Sequence, residues 1–321
     1  MNVKYAVENQ NMIFNILLQA KKQNRLSHAY LFYGDEGTGK KEMAYALACM
    51  MYCEHGGCLE CETCKSILSN NHMNVDYIGI EENKKMISKD QILNLQDEFS
   101  KTSLVDGTRI YIVDGIDTAS AAAQNSLLKF IEEPVNQIPT VGIFLATELS
   151  NVVSTIQSRC ILQHFKALDI EKRIEILKAN NLNELDAILT AGLTNNIEES
   201  MEIVKSSDYM KNKELFLELL KISKNKEAVM YYLNNVNYLS DSKKLTMLLE
   251  WVLLFLEDVN RLSGGSDNLI LIPLYDKIKA YDSKYKNQKK DKLKLILDLF
   301  DKLKYNVSAK NVFHELILKF V

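Results

Sequence analysis

A glycine-rich turn set between an apolar strand and a helix constrains this chain more than any other feature. Leu31, Phe32 and Tyr33 read as a short buried strand, and Lys41 to Met51 as the helix that follows. Between them, Gly34-Asp35-Glu36-Gly37-Thr38-Gly39-Lys40 fits the phosphate-binding spacing G-x-x-x-x-G-K. Glycines let the backbone wrap an anion, so that amides at the helix N-terminus face phosphate oxygens. Gly34, Gly37, Gly39 and Lys40 are therefore candidate nucleotide-binding residues. The pattern breaks one position later. A Ser or Thr hydroxyl normally holds Mg²⁺ there, and Lys41 has no acceptor to offer a metal. The loop suits phosphate but is poorly equipped for hydrolysis.

Five of the six cysteines follow directly. Cys49-x8-Cys58-x2-Cys61-x2-Cys64 gives two overlapping C-x-x-C pairs and a fourth thiol at the helix end, with Cys53 competing for the fourth place. Four thiolates clustered in this way suit a closed, tetrahedral structural zinc, expected on Cys49, Cys58, Cys61 and Cys64. Disulfides and an iron–sulfur cluster are the rival uses. Nothing marks the chain as secreted, and thiols inside cells stay reduced.

A chain of 321 residues has room for two or three domains, and only three prolines and twelve glycines argue against long linkers. The start is amphipathic and lacks the compact apolar core of a signal peptide. Trp251 to Leu256, the most apolar run, is too short to span a bilayer. A cytoplasmic protein without membrane contact is expected. Residues 1–204 carry 18 basic against 27 acidic side chains, while 205–321 carry 21 against 15. The acidic first part is ill suited to wrapping nucleic acid through bulk charge. The basic excess, densest between Lys284 and Lys304, reads as a solvated helix face.

Strand and helix patterns alternate through the first half. The segment up to Gln23 reads as one helix. Asp76–Ile80, Arg109–Val113 and Val141–Ala146 read as strands, with helices over Ile87–Phe99 and Thr118–Glu132 between them. Ser88 and Gln91 form a capping-box pair. Such alternation indicates a parallel sheet covered by helices on both faces. Beyond about residue 166 the patterns are helical throughout. They divide into a small segment, 167–206, and long amphipathic helices over 207–321, with a break at Gly264-Gly265.

Asp114 ends an apolar strand, the place for a metal-binding acid. The glutamate that should follow, to orient the attacking water, is replaced by Gly115, and Asp117 lies two positions on. Thr147 ends the next strand, which suits either contact with a γ-phosphate or its water or an ordinary polar strand end.

The phosphate loop, the cysteine insertion, the strand ending in Asp114, Asn125-Ser-Leu-Leu-Lys-Phe-Ile-Glu-Glu-Pro134 and Ser158-Arg159-Cys160 occur in that order. So arranged, residues 24–165 resemble bacterial clamp-loader subunits of the AAA+ class, the delta prime family of DNA polymerase III most of all. The resemblance implies an ATPase-like α/β domain over 1–166 with an inserted zinc module at about 49–64. A helical lid over 167–206 and an oligomerising helical collar over 207–321 follow. It further implies that Arg159 reaches the ATP of a neighbouring subunit as an arginine finger. Partners would be gamma/tau-like ATPase subunits and delta, with the sliding clamp and primer-template DNA met through the complex. Lys41 and Gly115, and Glu198 where active subunits place a phosphate-sensing arginine, imply a subunit that does not hydrolyse ATP. They also weaken the case for ATP or ADP in its own loop. An ATP-hydrolysing gamma/tau-like subunit and a zinc-dependent nucleic-acid-binding protein are the alternatives.

Overall fold

The computed structural model describes residues 3–81, 84–100, 107–132, 139–266, 268–285 and 289–320. They form two compact units, Met1–Leu168 and Asp169–Val321.

The first unit is built on five parallel strands, β1 (Ala29–Tyr33), β2 (Val75–Ile78), β3 (Arg109–Asp114), β4 (Thr140–Ala146) and β5 (Ile161–His164), in the spatial order β2-β3-β4-β1-β5. Side chains of a strand alternate between faces, and both faces of β1 are covered. Tyr30 and Phe32 join one core with the helix after the glycine loop, and Ala29 and Leu31 join another with Ile92, Leu127 and Phe130. Around the sheet lie α1 (Val3–Asn9), α2 (Asn11–Lys22), α3 (Lys40–Tyr52), α4 (Glu62–Leu68), α5 (Lys89–Ser100), α6 (Ala121–Ser126), α7 (Leu128–Glu132) and α8 (Ser154–Gln157). The Ser88–Gln91 pair caps α5 reciprocally: the Ser88 amide donates to Gln91 Oε1 at 2.9 Å, and the Gln91 amide to Ser88 Oγ at 3.2 Å.

Three expectations need correcting here. The opening helix is two helices, broken at Gln10, whose side-chain amide donates to the carbonyls of Thr38 and Lys166. The expected Thr118–Glu132 helix is a 3₁₀ turn, Ile116–Thr118, followed by α6 and α7, because Ser120 caps a fresh start. Glu133 and Pro134 of that motif lie outside the described residues. Strand β5 was not expected, since its half-polar sequence lies at the sheet edge with Ile161 and Leu162 exposed.

The second unit is helical: α9 (Ile170–Ala179), α10 (Glu184–Ala191), α11 (Ile197–Ile203), α12 (Ser207–Leu219), α13 (Asn225–Asn235), α14 (Ser242–Ser263), α15 (Tyr275–Lys284), α16 (Lys289–Lys304) and α17 (Ala309–Phe320). Helix α14 runs through its core, where Trp251 is fully buried and its indole N–H donates to the Leu189 carbonyl at 2.9 Å. The 167–206 and 207–321 segments thus share one apolar core. After Gly264-Gly265, buried Asp258 accepts from the Ile270 and Leu271 amides and pairs with Arg261, which offsets the cost of burying a carboxylate. No described helix is long and apolar enough to cross a membrane.

Candidate phosphate loop, cysteine centre and edge arginine

The strand register gathers the candidate phosphate groups at one end of the sheet. Tyr33 pairs with Ala146 and Asp114 with Leu145, so the loop after β1, the acid ending β3 and Thr147 after β4 lie side by side. Ligands of parallel α/β sheets bind at this carboxyl end. Gly34, Gly37 and Gly39 all have positive φ, at 139°, 75° and 88°. Thr38 Oγ1 donates to the Asp35 carbonyl at 2.8 Å, and Lys40 Nζ to the Gly34 and Asp35 carbonyls at 2.6 and 2.7 Å. Burial holds the Lys40 ammonium below its usual pKa, against the opposing pull of Asp114 and Asp117. At Gly34 a Cβ would stand 2.2 Å from the Phe165 carbonyl oxygen. Gly34→Ala should therefore cost more than about 1 kcal/mol of stability, read as a lower urea or thermal midpoint. A variant melting with wild type would mean that the loop backbone is not held as described.

Lys41, one residue past the loop, turns toward the acid of β3. Its Nζ donates to the Tyr77 hydroxyl at 2.7 Å and stands 3.8 Å from Asp114 Oδ2, which accepts from the same hydroxyl at 2.8 Å. Burial, reinforced by the Asp114 charge, keeps the Tyr77 phenol well above its ordinary pKa, so it stays a donor to the carboxylate. Tyr77 carried no motif signal; only its place on the strand beside β3 could have suggested it.

Gly115 sits at φ 92°, a conformation that costs a residue with a side chain. A glutamate in place of Gly115 would carry that backbone cost in this conformation. Asp117 does not stand in for it. Its carboxylate accepts from the amides of Thr147 and Glu148 at 3.0 and 2.9 Å, tying down the end of β4. Glu198 lies in the first turn of α11, in the second unit.

The cysteine centre corrects the expected ligand set. Sγ atoms of Cys53, Cys58, Cys61 and Cys64 all lie within 4.8 Å of one another, and Cys49 is not among them. Cys49 points into the core from α3, fully buried, with Sγ 3.9 Å from the Cys64 carbonyl. Burial pushes its thiol up to about 11. One turn on, Cys53 leaves the helix in an extended conformation, and Gly56 and Gly57, both at positive φ, fold the chain back toward Cys58. The Cys53 sulfur lies 3.6 Å from that of Cys58 and 3.8 Å from that of Cys61. Zn–S bonds of ~2.3 Å at tetrahedral angles would set such edges at about 3.8 Å, whereas a disulfide needs ~2.05 Å. Backbone amides of Cys58, Cys61 and Cys64 point at the sulfurs of Cys53, Cys58 and Cys61. Burial would raise the Cys53 thiol, but amides of Cys58, Gly57 and His55 outweigh it and bring it to about 6. Cys64 is pushed up, chiefly by burial. Four sulfur donors gathered at this spacing fit a metal ion.

Arg159 lies at the other end of the sheet. It follows α8 and precedes Ile161, which pairs with Tyr30, whereas the glycine loop begins only after Tyr33. The four residue steps from Tyr30 to Gly34 span about 13 Å at ~3.3 Å each. Its guanidinium donates through Nε to Glu132 and through Nη1 to the Thr155 carbonyl at 3.0 Å and to Ser158 Oγ. The side chain is 36% exposed. Glu132, the anchor of this arginine, was legible only as part of the 125–134 motif.

A parallel sheet in this order, with a glycine loop after β1 and an acid ending β3, defines a phosphate-loop α/β domain. A family described as "DNA polymerase III, delta subunit" matches residues 9–169. The DNA polymerase III subunit delta' of Bacillus subtilis is 30% identical over 319 residues, spanning 97% of this chain and 96% of that one. The subunit delta' of Pseudomonas aeruginosa is 31% identical over 141 residues, 43% of this chain and 42% of its own length. A gamma subunit-related protein of DNA polymerase III from Thermotoga maritima shares the fold, with a TM-score of 0.51 over 97% of both chains at 13% identity. The chain belongs to the DNA polymerase III delta prime family.

Proposed function

We propose that this protein is a non-hydrolysing structural subunit of the bacterial clamp loader, and that it presents Arg159 to ATP held by a neighbouring subunit. The observation that carries this reading is the strand register. It sets Arg159 beyond the end of the sheet away from the chain's own phosphate loop, with its side chain partly exposed, which is the position a finger directed at a neighbour's phosphate requires. Gly115 and Lys41 support the other half, because phosphoryl transfer depends almost wholly on positioned charges and a held nucleophile. On this reading residues 167–206 act as lid and 207–321 as collar, next to gamma/tau-like and delta partners. The clamp and primer-template DNA are met through the assembly. The four-thiol site holds a structural zinc.

Two measurements test this. Co-expressed with gamma/tau-like and delta subunits, the chain should co-purify in one complex of defined mass. Alone, it should hydrolyse ATP no faster than its Lys40→Ala variant. Failure to enter the complex would remove the assembly role. Turnover by the isolated chain that is lost on Lys40→Ala would make it a hydrolysing subunit instead.

A further inference from the structure

The position after the loop lysine is where a phosphate loop normally supplies a hydroxyl to Mg²⁺, and here it holds a positive charge of its own. Lys41 does more than lack a ligand atom. Its ammonium is turned into the space between the loop and the acid of β3, 3.8 Å from Asp114 Oδ2 and bonded at 2.7 Å to the Tyr77 hydroxyl, itself bonded to that oxygen at 2.8 Å. The ammonium also lies 4.1 Å from the centre of the Tyr77 ring, whose face favours a cation. Gly79 keeps room for this arrangement, since a Cβ there would come within 2.6 Å of the Tyr77 hydroxyl. A carboxylate, a phenol and a ring face thus converge on one cation, and the chain supplies that cation itself.

We propose that the Lys41 ammonium replaces the divalent cation at this loop, so that any nucleotide or phosphate the loop accepts is taken without metal. Mg²⁺ needs near-octahedral oxygen ligands at ~2.0–2.1 Å. The carboxylate that ends β3 is already paired, and a fixed positive charge stands beside it. A metal-free loop still attracts an anion, through Lys40, Lys41 and the amides opening α3. It lacks the ion that bridges and polarises the terminal phosphates, so binding and hydrolysis come apart. The inference rests on reading Gly34–Lys40 as a phosphate site that does not hydrolyse.

The test uses the full-length chain and ADP as probe, titrated calorimetrically with excess Mg²⁺ or with EDTA, and Mn²⁺ as a paramagnetic reporter of bound metal. In wild type, Mg²⁺ should add no affinity for ADP, and no protein-bound Mn²⁺ signal should accompany the nucleotide. Lys41→Ser restores a hydroxyl and frees Asp114. It should gain Mg²⁺-dependent ADP affinity of about 5- to 150-fold, the usual span of coupling between two ligands, together with a bound Mn²⁺ signal. Wild-type affinity that rises on adding Mg²⁺ would overturn the proposal. So would a Lys41→Ser chain with an unchanged melting curve and no metal-coupled binding. Either failure leaves the ring-subunit reading standing, because that reading is tested by other results: entry into the complex, ATP turnover by the isolated chain, and the effect of Arg159→Ala on the complex.

Discussion

Cys53→Ser should release the bound metal and unfold the chain locally from about residue 53 to 66, whereas Cys49→Ser should do neither. The contrast follows from where α3 ends. Cys49 is a protonated thiol among Ala46, Leu47 and Met50 in the core, and serine keeps its size. Cys53 is one of four sulfurs that converge at tetrahedral spacing. Structural zinc in small modules contributes on the order of 10–16 kcal/mol of apparent binding energy, and Cys58, in the turn it would hold, is exposed. One equivalent of zinc is expected in wild type and in Cys49→Ser, and much less in Cys53→Ser, by metal analysis of the purified proteins. Amide hydrogen exchange should then rise over 53–66 while the sheet stays protected. Full zinc in Cys53→Ser, or zinc lost from Cys49→Ser, would return Cys49 to the ligand set.

That contrast also marks how far the sequence could be read. Spacing alone makes Cys49 and Cys53 near-equivalent, since both precede Cys58 within a few residues of the helix end. They are separated by one helical turn, and both are buried, but only the Cys53 sulfur turns toward those of Cys58 and Cys61. The signal lay in Gly56 and Gly57, whose positive φ folds the chain from Cys53 back to Cys58. Strands buried on both faces and the Ser88–Gln91 cap were legible because each is a local pattern. Strand β5 and α15 were not, because an edge strand with exposed Ile161 and a helix with only Ile278 buried carry too little apolar period. Tyr77, Asp117 and Glu132 were missed as partners for another reason. Their bonds to Asp114, the end of β4 and Arg159 join residues at least 27 positions apart.

Arg159→Ala should leave the chain folded and assembled but abolish ATP turnover at one site of the complex. Its ion pair with Glu132 is exposed on both sides, and such pairs contribute about 0–1 kcal/mol. Its effect on a neighbour's nucleotide would be far larger. A guanidinium offers a planar fork of donors to the charge that develops in transfer, and arginine fingers supplied in trans accelerate turnover by roughly 10³–10⁵. The held geometry favours this use. Glu132, Thr155 and Ser158 engage Nε and Nη1, and among the described residues Nη2 has no partner. Arg159→Lys should fail nearly as badly, since an ammonium on a flexible stem cannot reproduce the fork. Total turnover would fall only in part, because the substitution touches one site of the complex. Clamp loading would fall further if the sites must fire together.

The most direct measurement compares complexes reconstituted with wild-type and Arg159→Ala chains, matched for subunit composition by native mass spectrometry, in both ATPase and clamp-loading assays. Loss of one site's share of turnover, with a larger loss of loading, is the expected result. Equal rates in both assays from intact complexes would contradict it and leave Arg159 an ordinary surface charge.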